Sequence, residues 1–187
     1  MSNETSTVKT KIPVKDMTQI AIITALFCIL APMSIPIGPI PVSLTNLVIY
    51  LSLYVLGMKK GTLSFLIYLL IGVVGLPVFS GYTGGLAKLT GATGGYLVGF
   101  IFITLLGGYV IDRWPGKYWL HFIAYVVSTA ICYALGTAWF VYLMQCTLGY
   151  ALSVCVTPFI LVDLCKMVIG ILVGPQVRKR LAKANVL

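Results

Sequence analysis

The chain has 187 residues, of which 59% are hydrophobic and 9% charged, with a net charge of +9 and a mean hydropathy of +1.03. A soluble domain of this length carries about a quarter of its residues as Asp, Glu, Lys or Arg. The composition therefore excludes a water-solvated globule and implies an all-α, polytopic membrane protein in which residues 1–187 form a single integral membrane domain.

Six spans of roughly 20 residues fit this length, at about 1.5 Å of helix rise per residue across a hydrocarbon core of about 30 Å. An N-terminal segment, residues 1–16, carries Lys9, Lys11 and Lys15 and precedes the first apolar run, Met17–Pro32. A basic stretch before an apolar one also suits a secretory signal peptide. No small-x-small site followed by a soluble chain appears, so the run reads as an uncleaved span. The second run, Leu44–Gly57, is short and suits a helix shielded inside a bundle, with Pro39, Pro41 and Ser43 expected to open it and Gly57 to close it. Gly61–Leu76, Thr93–Ile111, Trp119–Leu143 and Leu152–Gly174 complete six predicted helices. Continuous apolar runs without period-2 alternation argue against a barrel.

Lys9, Lys11, Lys15, Lys59, Lys60, Arg113, Lys117, Arg178, Lys179, Arg180 and Lys183 all fall on one side of this arrangement, eleven of the thirteen cations. The opposite loops, Met33–Ser43, Pro77–Ala92 and Met144–Ala151, contain only Lys88. This asymmetry predicts a multi-pass protein of the cell membrane with both termini cytoplasmic and residues 176–187 as a basic cytoplasmic tail. Because topology accounts for the basicity, no nucleic-acid partner is expected. Trp114, Tyr118, Trp119 and His121 fall where an interfacial aromatic belt belongs. The five cysteines have neither metal-binding spacing nor a disulfide framework and read as packing residues. Phosphate-loop, zinc-hydrolase and serine-hydrolase motifs are missing, so neither an enzyme nor a cofactor is expected, nor a metal. Asp163 is the one carboxylate inside a span, too few for an ion-coupled carrier, so the energy for any transport is expected from a partner.

Asp163 and Lys166 stand three apart on one face of the last span. Asp163 follows Pro158 by five residues, roughly 8 Å at the helical rise, which places the pair near the outer side. Each charge is costly in hydrocarbon, and a buried pair adds little stability, so a cavity for a ligand explains it better than structure alone. Asn46 follows Pro41 by the same five residues, and Ser43, Asn46, Tyr50 and Tyr54 make a polar stripe at helical spacing that also suits packing between helices. Residues Pro77–Gly95 include Gly81, Gly84, Gly85, Gly91, Gly94 and Gly95, which permit tight turns and close approach to a ligand. Phe79, Tyr82, Leu86 and Leu89 in the same stretch want cover, so residues 77–92 are expected to form an ordered outer lid. Thr93 and Gly94 open the following helix, whose amides suit a carboxylate. The expected site is an outer pocket for a small, partly apolar solute with hydrogen-bond donors and a carboxylate.

The stretch Gly75–Phe100, GLPVFSGYTGGLAKLTGATGGYLVGF, closely resembles the central signature of BioY, the biotin-specific substrate-binding (S) component of energy-coupling factor (ECF) transporters. Thr157–Gly170 resembles the family's Pro…Asp-x-x-Lys element, and Pro39–Leu47 its entry to the second helix. Ala92 stands where the family often has Pro. The resemblance implies high-affinity biotin capture, with delivery through a transmembrane coupling protein and two cytoplasmic ATPases. It assigns Asp163 as acceptor for the ureido N–H groups and Lys166 as its charge partner or a donor. The thiophane ring and aliphatic chain are expected on the lid and on Tyr96, with the carboxylate near the outer loops and the start of the fourth helix. Ala21-x-x-x-Ala25 matches the element such proteins present to the coupling protein; Gly95-x-x-x-Gly99 has the same spacing, so the preference rests on the resemblance. The alternatives are a self-sufficient secondary transporter or channel for a small solute, and an S component for another vitamin.

Overall fold

A computed structural model describes residues 13–36 and 40–184. Helix α1 (Val14–Leu30) leads into a hairpin of strands β1 (Ser34–Pro36) and β2 (Pro41–Ser43), then α2 (Thr45–Val73). A short α3 (Leu86–Thr90) precedes α4 (Gly94–Phe102), which runs through a π turn (Ile103–Gly107) into α5 (Gly108–Arg113). The chain closes with α6 (Tyr118–Met144), a short α7 (Leu148–Cys155) and α8 (Thr157–Lys183). Thr45–Val73, Gly94–Arg113, Tyr118–Met144 and Leu148–Lys183 are each long and apolar enough to cross a membrane. Exposed Leu70, Val127, Leu161 and Leu172 on their outer faces suit contact with lipid.

Helix α2 is two passes rather than one. At Gly57 the backbone adopts φ 74° and ψ −177°, a region essentially closed to other residues. A Cβ placed on Gly61 would lie 3.8 Å from the Cα of Leu53, whereas eight residues of straight helix span about 12 Å. The arms 45–56 and 58–73 therefore fold back on each other, which yields the six predicted passes without a loop between the second and third. The reversal is tied down by acids: the Met58 N–H donates to Asp112 Oδ2 at 2.8 Å, and Lys60 pairs with Asp16 at 2.7 Å. As the shielded-helix expectation requires, the first arm is mostly buried, with Ile49, Tyr50 and Leu53 fully enclosed.

The second arm packs on α1, where Phe27 stacks on Tyr68 at 5.4 Å and meets Phe65 edge-on at 5.6 Å. Thr24 and Ser64 hydroxyls join the same two helices at 3.0 Å. Helix α4 packs on α6 through glycines, because a Cβ on Gly95 would lie 2.5 Å from Trp139 Cβ and one on Gly99 2.7 Å from Cys132 Sγ. This near-contact of helices is the usual service of small-x-x-x-small spacing.

Two expectations are corrected. Pro41 and Ser43 do not form the first helical turn: they lie in β2, with Ser34 opposite Ser43 and Pro36 opposite Pro41. Proline has no N–H to donate, and Ser43 retains a link to the helix entry because the Thr45 N–H donates to its Oγ at 3.4 Å. Pro39 lies outside the described residues. His121 is only 1% exposed rather than part of a surface belt, although Trp114, Tyr118 and Trp119 beside it are exposed. Its ring is held between the Tyr54 hydroxyl at 2.9 Å and the Trp114 carbonyl at 3.0 Å, which satisfies both nitrogens inside the bundle.

Gly57→Ala forces a side chain into the closed backbone region and within 2.8 Å of Asp112 Oδ1. It is expected to destabilise the protein by about 1–3 kcal/mol, seen as a lower thermal unfolding midpoint in detergent. An unchanged midpoint would contradict a strained reversal at this residue.

Candidate functional site

Four segments bring polar groups to one point in the bundle. Asp163 and Lys166 come from α8, Asn46 from the start of α2, Ser43 from β2 and Tyr133 from α6. The Lys166 ammonium donates to the Ser43 carbonyl at 2.7 Å, to Asn46 Oδ1 at 3.0 Å and to Asp163 Oδ1 at 3.1 Å. An ammonium has three N–H donors, so each is engaged. Asp163 Oδ1 also accepts from Asn46 Nδ2 at 2.7 Å, and Oδ2 from the Tyr133 hydroxyl at 2.6 Å. Asp163, Lys166 and Asn46 are buried at 5%, 6% and 4% exposure. Their charges cancel and their hydrogen bonds close on one another, which makes an ion pair tolerable at this depth.

The network forms one wall of a cavity with about 630 Å³ of empty space, counted out to its mouth. Phe79, Tyr96, Leu97, Phe100 and Phe159 make the walls largely apolar, while Ser80, Lys88 and Thr93 add polar groups from residues 77–93. Burial lowers the Lys88 pKa from its ordinary value, because a half-buried ammonium is incompletely hydrated. Apolar walls with few fixed polar groups bind a small organic ligand and fix its orientation.

A profile of the BioY family matches residues 2–183. The chain belongs to the BioY family. The biotin transporter BioY of Thermotoga maritima is 37% identical over 165 residues, covering 88% of this chain and 96% of that one. The biotin transporter BioY2 of Lactococcus lactis subsp. cremoris is 33% identical over 169 residues, covering 90% and 93%. The crystal structure of the S-component for biotin from an ECF-type ABC transporter superposes with a TM-score of 0.82 at 29% identity, covering 89% of this chain and 92% of that one.

The three BioY-like segments supply every residue lining the cavity except Tyr68, Tyr133 and Cys155. Of the expected site residues, Asp163, Lys166, Asn46, Phe79, Thr93 and Tyr96 line it together. Tyr82, Gly84, Gly85, Leu89 and Gly94 do not. Tyr82 turns outward at 68% exposure, on a left-handed backbone of φ 56°. Leu86, expected to want cover, is 62% exposed. Gly84 and Gly94 serve the chain's own packing, since a Cβ on Gly84 would lie 2.2 Å from the Leu76 carbonyl oxygen and one on Gly94 1.7 Å from that of Leu89. Leu89 borders a separate apolar groove with Trp139 and Tyr142. In the polar stripe, Tyr50 bonds Thr129 and Tyr54 bonds His121, so both join helices while only Ser43 and Asn46 reach the cavity. Tyr133 has no distinctive sequence context; its one signal is a phenol hydroxyl inside a span, which demands a partner without naming it.

Lys166→Met leaves the Asp163 carboxylate buried without its cation. The expected cost is about 3 kcal/mol of stability, measured by thermal unfolding in detergent, with most of it recovered when Asp163→Leu is added. A single variant as stable as the parent would refute the coupling.

Proposed function

We propose that this protein captures biotin in the cavity and serves as the substrate-binding S component of an ECF-type transporter. The observation carrying this reading is the BioY-like cavity, one wall of which is the closed Asp163 network and the rest largely apolar. Biotin presents a ureido group with N–H donors and a carbonyl, an apolar thiophane ring and an aliphatic chain ending in a carboxylate. Asp163 receives three hydrogen bonds, and a carboxylate has about four acceptor positions. It retains room for a ureido N–H. Asn46 uses one amide N–H on Asp163 and has a second for the ureido carbonyl. Lys166, its donors all engaged, acts as the charge partner that balances the Asp163 carboxylate rather than as a ligand donor. Phe79, Tyr96 and Phe159 cover the ring and chain, and residues 77–92 form the lid. The eleven-cation asymmetry supports cytoplasmic termini and an outward-facing lid.

Delivery inward uses a transmembrane coupling protein and two ATPase subunits, with no chemistry performed on the vitamin. Ala21 and Ala25 support docking because both are exposed along an apolar groove with Met17, Thr24, Leu63 and Ile67. Gly95 and Gly99, of the same spacing, are buried against α6 and have no free face.

Calorimetry on the purified chain is expected to show saturable biotin binding and none for thiamine or riboflavin; heat from another vitamin alone would overturn the substrate. Asp163→Asn is expected to weaken biotin binding by at least about 1.5 kcal/mol, roughly tenfold, and parental affinity would remove Asp163 from the site. Ala21→Leu with Ala25→Leu should leave binding intact and abolish uptake with the partner subunits, whereas lost binding would make these residues internal packing. Uptake into ATP-free liposomes containing only this chain would point instead to a self-sufficient transporter.

A further inference from the structure

We infer that Lys88 and Thr93 form an acid-binding pole of the cavity and make the protein select a free carboxylate over its neutral derivatives. This rests on the biotin reading and adds a specificity that the Asp163 network cannot provide. That network is neutral and its ammonium is committed, with every Lys166 donor engaged. Lys88 also lines the cavity, and its ammonium makes no ion pair or hydrogen bond with any described residue. With Asp163 and Lys166 cancelling, the charged side chains of the wall sum to a single positive charge, carried by Lys88. An anionic ligand balances that charge and a neutral one leaves it unmatched.

Thr93 adds an independent observation. Its Oγ1 is buried and has no hydrogen-bond partner among the described residues, although it lines the same cavity. Buried hydroxyls are nearly always satisfied, so an orphan on a residue of the cavity wall is an unfilled bond that a ligand atom can complete. The two side chains are five residues apart, and the backbone between them is anchored. The Trp139 Nε1–H donates to the Gly91 carbonyl at 2.9 Å, and the Gly94 N–H donates to the same carbonyl at 3.0 Å. An ammonium and a hydroxyl on a held segment suit the two oxygens of one carboxylate, with Lys88 supplying a charge-assisted bond and Thr93 a neutral one. The reduced hydration of Lys88 strengthens its attraction to such an anion.

Calorimetric titration of the purified full chain with biotin and with biotin methyl ester tests this, because the ester keeps both rings and the chain but loses the charge. The parent is expected to prefer biotin by about tenfold or more, in keeping with a charge-assisted bond. Lys88→Met should lower biotin affinity by that factor and leave ester affinity unchanged, so that the preference disappears; Lys88→Arg should restore it. Thr93→Val should cost biotin a smaller factor, about two- to fivefold. Equal affinities in the parent, or a preference that survives Lys88→Met, would overturn the acid-binding pole while leaving biotin capture standing. Failure of the parent to bind either compound would overturn the biotin reading and this inference with it.

Discussion

The ammonium of Lys166, buried among apolar helices, is the constraint on which the site depends. In hydrocarbon such a group needs compensation for every lost water contact. Here it finds it in three oxygens from three different segments, the Ser43 carbonyl, Asn46 Oδ1 and Asp163 Oδ1. Those bonds draw the hairpin and the start of α2 onto α8, and Asp163 then draws in α6 through the Tyr133 hydroxyl. The interaction that makes the charge tolerable thus also assembles one wall of the cavity. Replacing the pair by hydrocarbon would serve the fold as well, so the network is best explained by the acceptor and donor capacity that Asp163 and Asn46 retain.

The remainder of the fold leaves this wall accessible. Reversal at Gly57 returns the chain to the same end of the bundle without an intervening loop, so Tyr68 and Asn46 both line one cavity. Asp16 and Asp112 hold the far end of that reversal through Lys60 and the Met58 amide. Asp16, Asp112 and Asp163 thus all have defined partners among the described residues, and of these three Asp163 is the one that lines the cavity.

Much of this was legible in the sequence, for physical reasons that differ by element. Asp163, Lys166 and Asn46 are conspicuous because polar groups inside apolar helices are rare, and a separation of three or a matched depth after a proline translates directly into position. Tyr133 is one of 11 tyrosines, and which phenol meets the carboxylate depends on how α6 packs. The glycine-rich stretch was readable as ordered and close-packed, but glycine reports backbone demand rather than ligand contact. Gly84 and Gly94 are consumed by neighbouring carbonyls, while Lys88, unremarkable as the only loop cation on its side, faces the cavity. The strands β1 and β2 are three residues each, too short to show alternation. His121 has an interfacial residue's sequence position and a core residue's environment, since its partners Tyr54 and the Trp114 carbonyl lie on other segments or at a turn.

The proposed orientation places the polar ring of biotin at α8 and its acid toward residues 77–93. A structure of the protein bound to biotin tests this orientation most directly. The expected result is a ureido group within hydrogen-bond distance of the Asp163 carboxylate and the Asn46 amide. Density for biotin elsewhere on the protein, or in the same cavity with the ureido group turned away from Asp163, would contradict it.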